Sequence, residues 1–115
     1  TYREMAEKES TRPDGIDVVS IVTPNHLHVP IAIIFAEKGI HIICDKPIGM
    51  SSEEAIDLKK VIESKKLIFA LTHNYTGYPM VRHARSLVQK GDLGSLRVIQ
   101  AEYPQDWLTT KVEEN

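Results

Sequence analysis

Three short polar clusters hold the residues of this sequence that could do chemistry. The first is Thr23-Pro24-Asn25, with His26 and His28 close behind. The second is Asp45-Lys46-Pro47, and the third is His73-Asn74-Tyr75. Each follows directly on an apolar, β-rich run. A lysine held between an acid and a proline at the end of such a run can orient a substrate hydroxyl. It can also stabilise the negative charge that develops on that oxygen during reaction. Lys46 equally fits a surface lysine beside a turn, and the residues alone leave both readings open. Thr-Pro-Asn after a strand has the same double reading, as a binding loop or as a plain turn.

Other reactive side chains have duller expectations. His26 and His28 are two positions apart, a spacing that puts them on different faces of a helix, so no metal pair is expected there. His41 falls within an apolar run and reads as packed. His83 and Arg85 read as a solvated helix face, and Cys44 as a small buried hydrophobe rather than a nucleophile. The sequence contains no Gly-x-Ser-x-Gly and no Gly-rich phosphate loop.

The elements that must position these clusters can be read from the periodicities. Tyr2, Met5 and Ala6 form a weak helical stripe within Thr1–Ser10, and turn formers follow through Gly15. Asp17–Thr23 is a short β-branched run, as expected of a parallel strand buried on both faces. A helix is expected from His28 to Lys38, with Pro30 tolerated in its first turn and Gly39 ending it. A second buried strand is expected at Ile40–Cys44. Ser51 to Glu54 matches a capping box, so a helix should begin there, with Ala55, Leu58, Val61 and Ile62 facing inward. Leu67–Thr72 is the third strand. A loop over His73–Pro79 leads to a helix over Met80–Lys90, stopped by Gly91-Asp92-Leu93-Gly94. Ser95–Tyr103 reads as a further strand, and Trp107–Asn115 gives no reading.

Strands joined by helices of about three turns must pair in parallel. Their carboxyl ends then share one edge of the sheet, and the three polar clusters converge on that rim. Open α/β sheets bind ligands there.

Composition narrows the function classes. The chain has 115 residues, 42% hydrophobic and 26% charged, with a net charge of -2. One soluble globular domain is expected, without a basic field for nucleic acid or anionic lipid. The longest apolar stretch, Ile31–Ala36, is far short of a membrane span. Thr1-Tyr2-Arg3-Glu4 carries no signal-peptide pattern, and Cys44 is the only cysteine. A reducing cytoplasm is the expected compartment.

The segments Val18 to His28 and Gly39 to Pro47 together resemble the glucose-fructose oxidoreductase/inositol dehydrogenase family. Thr-Pro-Asn-x-x-His and an acid-Lys-Pro motif at this separation carry the resemblance, which extends through Gly91-Asp92-Leu93-Gly94 to about Tyr103. It implies an α/β fold: the second half of a Rossmann-like parallel sheet (β-α-β-α-β) over residues 1–94. The start of an α+β C-terminal substrate domain would follow over residues 95–115. It implies an NAD- or NADP-dependent oxidoreductase acting on a sugar, inositol or related polyol. Thr23, Pro24, Asn25, His28, Asp45, Lys46, Pro47 and Asn74 would be the cofactor-binding residues, with His28 close by the first three. Lys46 would contact the nicotinamide ribose and the substrate hydroxyl as the catalytic residue, flanked by Asp45 and by Pro47 after a cis peptide bond.

Two departures stand out. Asp45 replaces the commoner glutamate, and His73-Asn74-Tyr75-Thr76-Gly77-Tyr78-Pro79 stands where many members carry an arginine before Phe-x-Pro. The family's Gly-x-Gly-x-x-Gly turn and its Asp-x-x-x-His pair are not in these 115 residues. The chain by itself is therefore expected to bind dinucleotide weakly, to be inactive and to self-associate as a homo-oligomer through an exposed strand edge. Two other classes stay open: a non-catalytic dinucleotide-binding regulator of the same fold, and a structural module.

Overall fold

A computed structural model describes residues 1–106. The chain forms two compact units, Thr1–Tyr78 and the residues from Pro79 onward.

The first unit opens with α1 (Tyr2–Thr11), which starts where its backbone donors find oxygen acceptors. Thr1 Oγ1 accepts the Glu4 N–H at 3.3 Å, and the Glu4 carboxylate accepts from the Thr1 amine at 2.6 Å. This capping box makes a regular helix of a segment whose apolar stripe is weak.

The unit continues with β1 (Val18–Ile21), α2 (His28–Glu37), β2 (His41–Cys44), α3 (Ser52–Ser64) and β3 (Phe69–Leu71). The sheet order is β1-β2-β3, and both pairings are parallel. Ile21 lies opposite Cys44, and Cys44 opposite Leu71, so the three strands end level with one another.

α2 runs to Glu37 because Gly39, at φ +83°, takes the left-handed conformation that closes it. The Gly39 and Ile40 N–H groups bond back to the Ala36 and Phe35 carbonyls. At the start of α3, Ser51 Oγ accepts the Glu54 N–H at 3.3 Å. The Glu54 carboxylate accepts from the Met50 N–H rather than from Ser51, so the expected reciprocal box is shifted by one residue.

One face of the sheet is packed. Ile21, Ile42 and Cys44 join Ala32 and Phe35 of α2, Leu58 and Ile62 of α3 and Ala6 of α1 in a single core. Burying a side chain such as Phe35 contributes ~1.5–3 kcal/mol. The other face is open: Val18, Ile43 and Ile68 are exposed. The expectation of strands buried on both faces is therefore corrected. The three helices of this unit belong to one core, and alternate strand residues point away from it. The ladders are also shorter than the apolar runs suggest, since Val22 is already 76% exposed.

In the second unit, α4 (Pro79–Lys90) places Pro79 at its first position, where a missing N–H does no harm. Gly91 and Gly94, at φ +79° and +67°, end it. The strand expected over Ser95–Tyr103 does not form. A strand needs a neighbour to pair its backbone, and no described residue supplies one. Trp107–Asn115 lies outside the described residues. Among the described residues no helix is long and apolar enough to cross a membrane.

Candidate functional site

The first rim loop leaves β1 at Ile21. Pro24 opens a single 3-10 turn, Asn25–Leu27, closed by a bond from the Leu27 N–H to the Pro24 carbonyl at 2.9 Å. Pro24, Asn25 and His26 are exposed on it. Thr23 Oγ1 is buried and has no hydrogen-bond partner among the described residues. His28, the first residue of α2, is only 1% exposed. One ring nitrogen lies 2.8 Å from the Thr23 carbonyl oxygen, and the other 2.7 Å from the Pro47 carbonyl oxygen.

The second loop leaves β2 at Cys44, which is fully buried. Burial pushes the Cys44 thiol up, and the neighbouring Asp45 carboxylate adds to this. Asp45 Oδ1 accepts from Thr72 Oγ1 at 2.7 Å and from the Lys46 N–H at 2.8 Å. Those bonds, the Thr72 hydroxyl first, hold the Asp45 carboxyl below its usual range. Lys46 is exposed and makes no salt bridge among the described residues. The Lys46–Pro47 peptide is cis.

The third loop leaves β3 at Leu71 and makes a 3-10 turn, Asn74–Gly77. The rings of Tyr75 and Tyr78 pack against each other with centroids 5.3 Å apart. Asp45, Lys46, Thr72, His73, Asn74 and Tyr75 line a cavity of about 300 Å³ between the second and third loops. A slightly larger cavity, about 340 Å³, opens between α3 and β3, but apart from Lys59 its walls are apolar.

The geometry brings two of the three polar clusters into one cavity and ties the first to the second through His28. Of the residues singled out from the sequence, Asp45, Lys46 and Asn74 line the cavity. Thr23 and Pro47 lend their carbonyls to His28, and Pro24 and Asn25 stand exposed on the neighbouring loop. Sequence reasoning passes over Thr72. The signal was its place as the last residue of the third apolar run, at the height of Asp45. His41 has a structural use: its Nδ1 accepts the Ile68 N–H at 3.2 Å.

A nicotinamide nucleotide fits this chemistry. The cavity lies at the carboxyl edge of a parallel sheet and offers an ammonium, an amide and a carboxylate to the hydroxyls of a ribose. The Lys46 ammonium also suits an oxygen that gains negative charge.

Comparison with known proteins follows the same line. Residues 1–75 match the family model described as "Oxidoreductase family, NAD-binding Rossmann fold". The chain is 40% identical to levoglucosan dehydrogenase of Pseudarthrobacter phenanthrenivorans over 83% of its own length and 24% of that protein's. It resembles the crystal structure of an oxidoreductase from Sinorhizobium meliloti, with 51% identity and a TM-score of 0.87, over 95% of this chain and 31% of that one. It also resembles an inositol dehydrogenase homologue from Azotobacter vinelandii solved with NADH and myo-inositol, with 36% identity and a TM-score of 0.80, over 84% of this chain and 25% of that one. The chain spans about a quarter of the length of the curated relatives it matches. A parallel sheet with its polar loops gathered on one rim, joined to this match, makes the chain a member of the glucose-fructose oxidoreductase/inositol dehydrogenase family, with the NAD-binding Rossmann fold.

Proposed function

We propose that this chain is the nicotinamide-side half of a dinucleotide domain in an NAD- or NADP-dependent dehydrogenase. Its substrate is a sugar, inositol or related polyol, and Lys46 is the catalytic residue. The observation that carries this reading is the cavity shared by Asp45, Lys46 and Asn74 at the sheet's carboxyl edge.

Lys46 would hold the reacting hydroxyl by a hydrogen bond from its ammonium and stabilise the oxygen as its proton leaves. The bound dinucleotide supplies the acceptor for hydride. Thr23, Pro24 and Asn25 would line it from the first loop and Asn74 from the third. Asp45 and Pro47 would fix the backbone on either side of Lys46. The proton acceptor belongs to a part of the protein outside these residues. Taken by itself the chain has no Gly-x-Gly-x-x-Gly turn, so we expect it to be inactive alone, and we place the start of the substrate domain at residue 95. With β1 at the edge of the sheet, the chain by itself is expected to self-associate as a homo-oligomer. The lone buried thiol of Cys44 suits a reducing cytoplasm.

The test is a panel of sugars and polyols assayed for NAD and NADP reduction with the full-length protein, wild type and Lys46→Met. Turnover of a member of the panel, lost in the variant, is the expected result. Dinucleotide binding without oxidation of any of them would overturn the reading in favour of a regulator.

A further inference from the structure

Among the described residues His28 is the one buried polar residue in the core, and both its ring nitrogens are engaged by protein. It presents no free polar atom to a ligand. What it touches are two backbone carbonyls from two different rim loops. Thr23 belongs to the loop after β1, and Pro47 directly follows Lys46 in the loop after β2. We propose that His28 is a positioning residue: set between the Thr23 and Pro47 carbonyls, its ring braces both and so sets where Lys46 stands relative to the Thr23-Pro24-Asn25 loop.

Three observations support the brace. The ring spans two loops: one nitrogen stands 2.8 Å from the Thr23 carbonyl oxygen and the other 2.7 Å from that of Pro47. The ring is also enclosed, since His28 is 1% exposed and opens a helix whose Val29, Ala32 and Phe35 are buried in the core. Finally, the second carbonyl belongs to the residue bonded directly to Lys46, so the positions of that carbonyl and of the lysine backbone are linked.

The consequence concerns geometry rather than contact. If the first loop holds the dinucleotide and Lys46 holds the hydroxyl, the brace fixes the distance between the two. A loss of about 1 Å in such placement lowers turnover on the order of 100-fold. This inference rests on the proposed role of Lys46, and the test separates the two.

The full-length protein would be assayed as wild type, His28→Gln, Lys46→Met and the double variant, with dinucleotide Kd measured by fluorescence. The expected result is a kcat about tenfold or more lower in His28→Gln, with dinucleotide Kd and substrate KM within about threefold of wild type. No further loss is expected when His28→Gln is added to Lys46→Met. If Lys46→Met leaves kcat unchanged, the role of Lys46 fails, and with it the brace as a device for placing that lysine. If Lys46→Met lowers kcat but the two losses multiply, or if dinucleotide Kd alone rises, His28 is not a brace acting through Lys46. A second measurement stands whether or not the variants fold. A crystal structure of the full-length wild-type protein should place the His28 ring within hydrogen-bond distance of both the Thr23 and Pro47 carbonyls, and a ring turned away from either would overturn the proposal.

Discussion

Thr72 Oγ1 donates a hydrogen bond of 2.7 Å to Asp45 Oδ1, across 27 residues of sequence. The same Asp45 oxygen accepts the Lys46 N–H. The carboxylate therefore ties the end of β3 to the backbone of Lys46, the residue proposed to carry the chemistry. A glutamate there would reach one carbon further; the shorter aspartate keeps its oxygen close to both donors.

Removing the hydroxyl should loosen Lys46 without touching it. Thr72→Val keeps the shape of the side chain and leaves one Asp45 bond unmade. A kcat/KM about tenfold lower is expected in the full-length protein, the size of one charge-assisted hydrogen bond in a reaction barrier. Thr72→Ser should restore most of it. Equal activity in all three proteins would show that the tie does not position Lys46.

Asp45 also makes a prediction about pH. Its folded carboxyl lies below the ordinary value, first because of Thr72. A group lowered in this way contributes stability fully above its unfolded value, near pH 4. That contribution is lost as the pH falls from there through the folded value. Glu4, Asp14 and Glu53 are lowered as well, so the wild-type acid curve does not isolate Asp45. The difference from Thr72→Val does. Urea midpoints should drop more between about pH 5 and about pH 3 in the wild type than in the variant. A parallel drop in both proteins would remove Thr72 as the cause.

Lys46→Met tests the centre of the reading. Methionine keeps much of the side chain's length and removes the ammonium. Loss of a group that stabilises developing oxygen charge typically lowers kcat on the order of 100- to 1,000-fold. Lys46 is exposed, so urea stability should move by less than about 0.5 kcal/mol. A variant that loses activity by unfolding instead would not test the chemistry.

The strand cores and the rim were legible because β-branched runs and their polar ends are local signals. Val18–Ile21 and His41–Cys44 sit inside the runs that announce them. Convergence of the loops followed from parallel pairing alone. What stayed hidden depends on side chains meeting across the fold. The Thr72–Asp45 bond joins two strands and has no local signature. The inward turn of His28 was readable in principle, since His28, Ala32 and Phe35 fall on one helical stripe and all three are buried. Its spacing from His26 drew attention instead. The near-continuous apolar runs call for cover on both sheet faces, whereas the described helices cover only one. The strand expected over Ser95–Tyr103 had the right residues, but a strand also needs a partner, which propensity does not report.

Gly49 gives a stability prediction that no pattern in the sequence announces. It lies two residues past Pro47, at the start of the approach to α3. A Cβ built there would stand 2.8 Å from Val29 Cγ2 and 2.9 Å from Glu54 Oε2. Glu54 is a flexible side chain and can swing aside, but then it gives up the Met50 N–H that it accepts at 2.8 Å. Val29 cannot swing in the same way, because it is 4% exposed on α2, directly after His28. Relief must come from moving the 47–50 segment outward, which also draws the Pro47 carbonyl away from the His28 ring. Gly49→Ala should therefore destabilise by about 1–3 kcal/mol, the usual range for overpacking. It should also lower kcat in the same direction as His28→Gln. A urea midpoint within error of wild type would mean that the segment yields freely and that the close approach of Gly49 to α2 is not needed for packing.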